Sequence, residues 1–337
     1  RARQLIRPFK KSRSAMTPQA RAKEDVLKLL ERVQLLAEGR SMDDYSDDIP
    51  DELFAAVQTF PMLEGKRLLG GESNPAQIKL LKKFGLFEFK RVKRAITAAH
   101  RLVHPGIVPV ECAFLTKTEV VIQIPYREGG SLRHWTTNSA GGGTTRPRAA
   151  LVTALLRVAT AIEFLHLHKL LHRDIKPDNV VMDATDDAAV PALIDFDLCV
   201  DADRTNTATT AAVGTLLYMP LDANVSEASD VHALGVTLFD ILFCNGDHTK
   251  IPRAGPSIGL DGIVRVLSAE SADDPAVAEV AALIGAMLAL DPADRPTATE
   301  VVVALRRVVE ADLTERTRML EHEQAQLSAA QARVTAA

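Results

Sequence analysis

The sequence predicts an α+β fold in two lobes, a small and mostly β lobe over residues 56–124 and a larger helical lobe over 131–308, joined by a hinge at 125–130. Three observations carry that expectation. Val120-Val121-Ile122-Gln123-Ile124 is an alternating to fully apolar run that reads as a strand, with Pro125 and Gly129-Gly130 behind it. Leu151–His168 spaces its apolar residues as a helix does. Just beyond that helix stand two short segments dense in functional groups, His172-Arg173-Asp174-Ile175-Lys176-Pro177-Asp178-Asn179 and Ile194-Asp195-Phe196-Asp197.

Composition sets the outer limits. A chain of 337 residues holds one domain of about 250 residues with an extension at each end. Apolar residues make up 47% and charged residues 25%, ordinary values for a soluble globular protein. A net charge of −4 argues against nucleic acid as a partner. The longest apolar runs, such as Val231–Cys244, contain His232 and Asp240 and are too short to span a bilayer. Cys112, Cys199 and Cys244 show no C-x-x-C spacing, and their odd number rules out a complete disulfide set. Reduced thiols in an intracellular, cytoplasmic compartment are therefore expected. The sequence begins at Arg1 rather than Met, which suggests processing that has already removed any targeting segment.

Residues 1–55 read as an extension. Arg1, Arg3, Arg7, Lys10, Lys11, Arg13, Arg21 and Lys23 face no acid over residues 1–23, as in a solvated arm or a basic docking arm. Thr17-Pro18 starts a helix, and Val26, Leu29, Leu30, Val33, Leu36 and Ala37 give it one apolar face before Gly39 stops it. The acidic stretch Ser41–Pro50 is a linker, and Asn138–Arg148, with Gly141-Gly142-Gly143, is a flexible loop. Residues 309–337 form a C-terminal helix with Leu313, Leu320, Leu327 and Val334 seven apart. Thr317, Gln324 and Gln331 leave the alternate positions polar, so the helix either packs back on its own domain or pairs with a partner helix.

The octapeptide 172–179 matches, without a gap, a catalytic-loop pattern in which an Asp takes a hydroxyl proton and an Asn five residues on holds magnesium. Ile194–Asp197 follows where a metal-binding Asp-Phe pair is expected, with Asp197 in the usual place of Gly. Ser229–Gly235 and Asp291-Pro292-Ala293-Asp294-Arg295-Pro296-Thr297 complete the order. On these residues the chain resembles a eukaryotic-type protein kinase of the serine/threonine kind, with a divergent small lobe, over roughly residues 56–308.

The resemblance implies ATP and Mg2+ as cofactors and a protein hydroxyl as substrate. It makes Asp174 the base, Lys176 the cation beside the transferring phosphate, and Thr215 the partner of both. Asn179 and Asp195 supply oxygen to magnesium. Ile124 backs the adenine pocket, Pro125 and Tyr126 offer backbone groups to the adenine edge, and Val181 lines the nucleotide site. His172 and Phe196 stack as an internal spine, Asp230 holds the catalytic-loop backbone, and Asp222 pairs with Arg295. A phosphothreonine at Thr205, Thr207, Thr209 or Thr210 would pair with Arg173.

The small lobe fits less well. Ala76-Gln77-Ile78-Lys79 offers Lys79 as the nucleotide lysine, and Lys90 in Phe87-Glu88-Phe89-Lys90 competes with it. The helix expected over Phe87–Leu102 carries Ala95 where a pairing Glu belongs. Glu88, two turns earlier, either replaces that Glu or is an exposed acid among Lys82, Lys83, Lys90 and Arg91. Pro61–Lys66 is a poor phosphate lid, since Gly65, Gly70 and Gly71 are the only local glycines. Two functions therefore stand: a serine/threonine protein kinase, or a pseudokinase that acts as a scaffold or allosteric module in a larger complex. A small-molecule phosphotransferase fits less well, because the Ile-Lys-Pro-Asp-Asn run and Gly214–Asp222 resemble protein kinases specifically. Partners beyond the substrate would dock on the N-terminal or C-terminal helix.

Overall fold

A computed structural model describes residues 66–69, 79–85, 102–110, 112–115, 119–138, 146–202, 214–222, 225–255, 257–271 and 274–335. The N-terminal arm and helix, the lid residues Pro61–Gly65, Glu88, Lys90, Ala95, the loop 139–145 and the four segment threonines lie outside these residues. The chain divides into two units, Arg1–Tyr126 with Asp195–Cys199, and Arg127–Ile194 with Val200–Ala337. The five residues Asp195–Cys199 thus group apart from the 131–308 segment to which the sequence assigns them.

The first unit contains an antiparallel sheet of β1 (Lys66–Leu69), β2 (Lys79–Gly85), β3 (Cys112–Leu115) and β4 (Glu119–Pro125), in the order β1-β2-β4-β3. Central β4 carries the Val-Val-Ile-Gln-Ile run, because a strand paired on both sides favours β-branched residues and buries Ile122 to 3% exposure. The β2–β4 ladder runs from Lys79 opposite Pro125 to Gly85 opposite Glu119. Leu102, Ile107 and Val108 are buried around a turn in which the Gly106 N–H donates to His104 Nδ1 at 3.0 Å.

In the second unit β5 (Gly130–Ser131), β7 (Val180–Met182) and β8 (Pro191–Leu193) form one small antiparallel sheet. β6 (Leu170–Leu171) pairs with β9 (Val200–Asp201), and β10 (Arg253–Ala254) with β11 (Ser257–Ile258). Among the described residues the helices are α1 (Leu132–Thr137), α2 (Arg148–Leu167), α3 (Glu227–Phe243), α4 (Leu260–Glu270), α5 (Pro275–Met287) and α6 (Ala298–Thr335). α3 is buried from Asp230 to Ile241, so it is enclosed on all sides rather than along one stripe, and its polar residues Asp230, His232, Thr237 and Asp240 are buried with the rest. Gly235 lets α5 close on it, for a Cβ there would stand 2.9 Å from Met287 Cβ. α2 is long and apolar enough to cross a membrane, yet it packs within the unit against α3, α6 and β8. Asp274 starts α5 by accepting from the Ala276 N–H at 2.9 Å, with Pro275 in the first turn.

A clasp joins Trp135, Asn138 and Arg146 to Thr185 and Asp186. Buried Arg146 lies 3.9 Å over the Trp135 ring and donates to the carbonyls of Asn138 and Thr185 at 2.8 and 2.7 Å. Trp135 Nε1 donates to the Asp186 carbonyl at 2.8 Å.

The boundary expected at 308/309 falls inside α6. Ala298–Thr335 contains neither Gly nor Pro, so nothing in the local chain stops the helix there. Val301, Val302, Leu305 and Val308 are buried, whereas Leu313 and Leu320 are 62% and 64% exposed.

Candidate active site

The site rests on Asp230 of α3. Its carboxylate is 1% exposed and accepts from the His172 and Arg173 N–H groups at 2.8 and 2.9 Å, and His166 Nε2 stands 3.1 Å away. Burial works against its charge, but His166, His172 and the Arg173 N–H outweigh it and hold the carboxyl below its ordinary value. The loop backbone is thereby fixed from below. His172 is fully buried, with Nε2 3.1 Å from the Ile194 carbonyl. Arg173 takes φ 70°, a left-handed conformation unusual for a residue with a side chain.

That geometry delivers Asp174. Oδ2 accepts from Lys176 Nζ at 2.7 Å and Asn179 Nδ2 at 2.8 Å. Oδ1 accepts from the Thr215 N–H at 3.1 Å and its hydroxyl at 2.9 Å. Lys176 Nζ also donates to Thr215 Oγ1 at 2.6 Å, which closes a ring of three side chains. Burial would raise the Asp174 pKa, but the hydrogen bond and charge of Lys176, then Thr215 and Asn179, bring it below the ordinary value. Asp174 is therefore an ionised acceptor at neutral pH, held in one orientation by four donors. Gly214, at φ 137°, makes the approach of Thr215 feasible, since a Cβ there would meet the Arg173 carbonyl at 2.7 Å.

Asn179 sits in the one-turn helix Pro177–Asn179 and is buried. Its Nδ2 faces two acceptors, the Asp174 carbonyl and Oδ2, both at 2.8 Å. That fixes the amide orientation and leaves Oδ1 as its acceptor atom. A hard oxygen beside a carboxylate suits magnesium, which takes one or two protein oxygens with phosphates and water. Among the described residues no group of three His, Cys, Asp or Glu side chains could hold a metal alone.

Asp174, Lys176, Asn179 and Thr215 are thus brought together in the second unit. Val181 follows in β7, half-buried and opposite Ser131. Ile124 and Pro125 end β4 half-buried, and Tyr126 is 37% exposed. Asp195 groups with the first unit, where at φ 69° it precedes the turn Phe196–Leu198. Asp197 is buried to 1% exposure. The Asp222–Arg295 ion pair forms, with Arg295 also donating to the Ala289 carbonyl at 2.9 Å. Asp222 Oδ1 is buried without a hydrogen-bond partner.

The β2–β4 register introduces a lysine that the sequence did not single out. Leu80 pairs with Ile124, Lys79 with Pro125 and Lys82 with the buried Ile122. Sequence pattern alone could not set that register.

Comparisons with known proteins identify the family. A family model described as protein kinase domain matches residues 73–304. The serine/threonine-protein kinase PknD of Chlamydia pneumoniae is 27% identical over 250 residues, covering 66% of this chain and 26% of that protein. The serine/threonine-protein kinase PkaA of Streptomyces coelicolor is 30% identical over 216 residues, 62% of this chain and 38% of its own length. PrkC of Bacillus subtilis, also a serine/threonine-protein kinase, is 30% identical over 158 residues, 45% of this chain and 23% of its own. The chain thus spans well under half the length of these relatives. With the family model covering more than two thirds of the 337 residues, the chain belongs to the protein kinase domain family.

Proposed function

We propose that this chain is a serine/threonine protein kinase that transfers the γ-phosphoryl group of ATP to a protein hydroxyl. The observation that carries the reading is the closed ring of Asp174, Lys176 and Thr215 with Asn179 beside it. Phosphoryl transfer needs positioning and charge neutralisation more than covalent chemistry. Asp174 orients the incoming hydroxyl and accepts its proton, and its low pKa suits an orienting acceptor better than a strong base. Lys176, held 2.7 Å from Asp174, supplies positive charge where phosphate oxygens pass. Asn179 Oδ1 and Asp195 are the oxygens for magnesium, which when bound screens the phosphates. Ile124, Pro125, Tyr126 and Val181 serve the nucleotide base, and Lys82, ahead of Lys79, serves its phosphates.

The test is transfer of labelled phosphate from ATP with magnesium to the chain itself and to dephosphorylated casein. Asp174→Asn and Asp195→Asn should each cut the rate by about 100-fold or more. Rates equal to wild type for either variant would refute that residue's role. The second reading, a pseudokinase scaffold, is favoured by Ala95 and by the buried acid Asp197. It predicts no transfer at all, with or without stabilisation by ATP.

A further inference from the structure

Arg133 of α1 meets four partners close to the ring on Asp174. Its Nε and Nη2 fork onto the Asp178 carboxylate at 3.1 and 3.0 Å. Nη2 also donates to the Tyr218 hydroxyl at 2.8 Å. Nη1 stands 3.1 Å from Asp240 of α3 and donates to the Gly246 carbonyl. The Tyr218 hydroxyl donates to Asp240 Oδ2 at 2.7 Å, and the Asp240 carboxyl is fully buried with Oδ1 unpartnered. One planar guanidinium so joins α1, the Pro177–Asn179 turn, the Leu216–Tyr218 turn and α3.

Two of those partners stand next to the reactive ring. Asp178 lies between Lys176 and Asn179, which both donate to Asp174. The Tyr218 N–H donates to the Thr215 carbonyl at 2.8 Å, and Thr215 gives Asp174 its other two donors. We propose that Arg133 is a positioning residue: it locks the catalytic loop to the end of the segment that carries Thr215, so the donors on Asp174 stay in mutual register. The proposal rests on the kinase reading for its consequence in rate, and on the geometry alone for its consequence in rigidity.

A plain alternative is that Arg133 only neutralises buried Asp240. The two readings part at Asp178, whose side chain is 49% exposed. An exposed pair adds little to stability. If Arg133 serves Asp240 alone, Asp178→Asn is silent. If it registers the loop, Asp178→Asn loosens the site while the fold keeps its stability. Lysine cannot replace the fork, because an ammonium is a point charge with no planar geometry to meet four partners.

The experiment compares the full chain with Arg133→Met, Arg133→Lys, Asp178→Asn and Arg146→Met, the last breaking the clasp on Trp135. Amide hydrogen exchange of residues 214–219 and 177–180, thermal midpoint, and steady-state transfer to dephosphorylated casein are measured. Arg133→Met and Asp178→Asn should speed exchange at Thr215 and Tyr218 about tenfold. Both should lower kcat about tenfold or more, with the KM for ATP within about twofold of wild type. Arg133→Lys should fall between, and Arg146→Met should lower the midpoint without either effect. Should Arg133→Met fail to fold, Asp178→Asn and Arg133→Lys decide. Exchange and kcat unchanged in Asp178→Asn, or the same loosening in Arg146→Met, overturns the proposal. A wild-type chain without transfer overturns the kinase reading instead, and exchange alone then judges Arg133.

Discussion

Thr215 gives Asp174 two donors on one oxygen, its N–H and its hydroxyl, at 3.1 and 2.9 Å from Oδ1. That chelate lets the segment after Gly214 hold the carboxylate at the correct rotation while Lys176 and Asn179 hold the other oxygen. Removing the hydroxyl takes away one of the groups that keep the Asp174 carboxyl below its ordinary value, so its pKa should rise. Thr215→Val should shift the acid limb of the kcat/KM profile to higher pH, and Thr215→Ser should restore it. An unmoved limb would separate Thr215 from the titration of Asp174.

Gly214→Ala tests the same contact from the backbone side. The added Cβ meets the Arg173 carbonyl at 2.7 Å and meets a φ of 137° that L side chains rarely adopt. The expected result is a loss of kcat of about 100-fold with ATP affinity kept, measured by nucleotide titration beside turnover.

The β2–β4 register ranks the lysines. Lys82→Met should raise the KM for ATP more than Lys79→Met or Lys90→Met does. A larger effect at Lys79 would show that the ladder position opposite Ile122 is not the one that serves the nucleotide.

Asp222 is one methylene shorter than the glutamate expected there, and its Oδ1 is buried without a partner. A longer acid would let both oxygens reach the Arg295 fork. Asp222→Glu should therefore gain about 1 kcal/mol in urea denaturation. Arg295→Met, which strands the carboxylate, should cost about 3–5 kcal/mol.

His232 supplies a pH signature. Burial, then the nearby Arg295 charge, depresses its pKa from 6.5 to about 4. The unfolded chain then binds a proton that the folded chain refuses across that interval. Stability contributed by neutral His232 is present above the unfolded value of 6.5 and is lost as pH falls toward 4. The loss is on the order of 3 kcal/mol. His232→Gln should flatten the curve of stability against pH between those values.

Much of the second unit was legible because its chemistry is local. Asp174, Lys176 and Asn179 lie within six residues, and their spacing alone puts them on one loop. Thr215 and Asp222 were also found, since the residues around them keep a recognisable order. Arg133 was not, because its partners Asp178, Tyr218 and Asp240 are 45, 85 and 107 positions away and no spacing links them. The β2–β4 register was not legible, because it depends on which strands pair, and a slip of one residue changes every face. The continuation of α6 across 308/309 was missed because a domain limit was expected where the chain has no helix breaker.

Trp135 is the only tryptophan in the sequence, and it is 1% exposed beneath the Arg146 guanidinium. Its emission is therefore an optical probe already installed in the second unit. A dry indole beside a cation emits differently from one in water, so loss of the clasp changes both intensity and wavelength. The first unit contains no tryptophan, and its melting is silent in that channel. Fluorescence and circular dichroism recorded on the same sample will then disagree wherever the sheet of the first unit unfolds before the helices of the second.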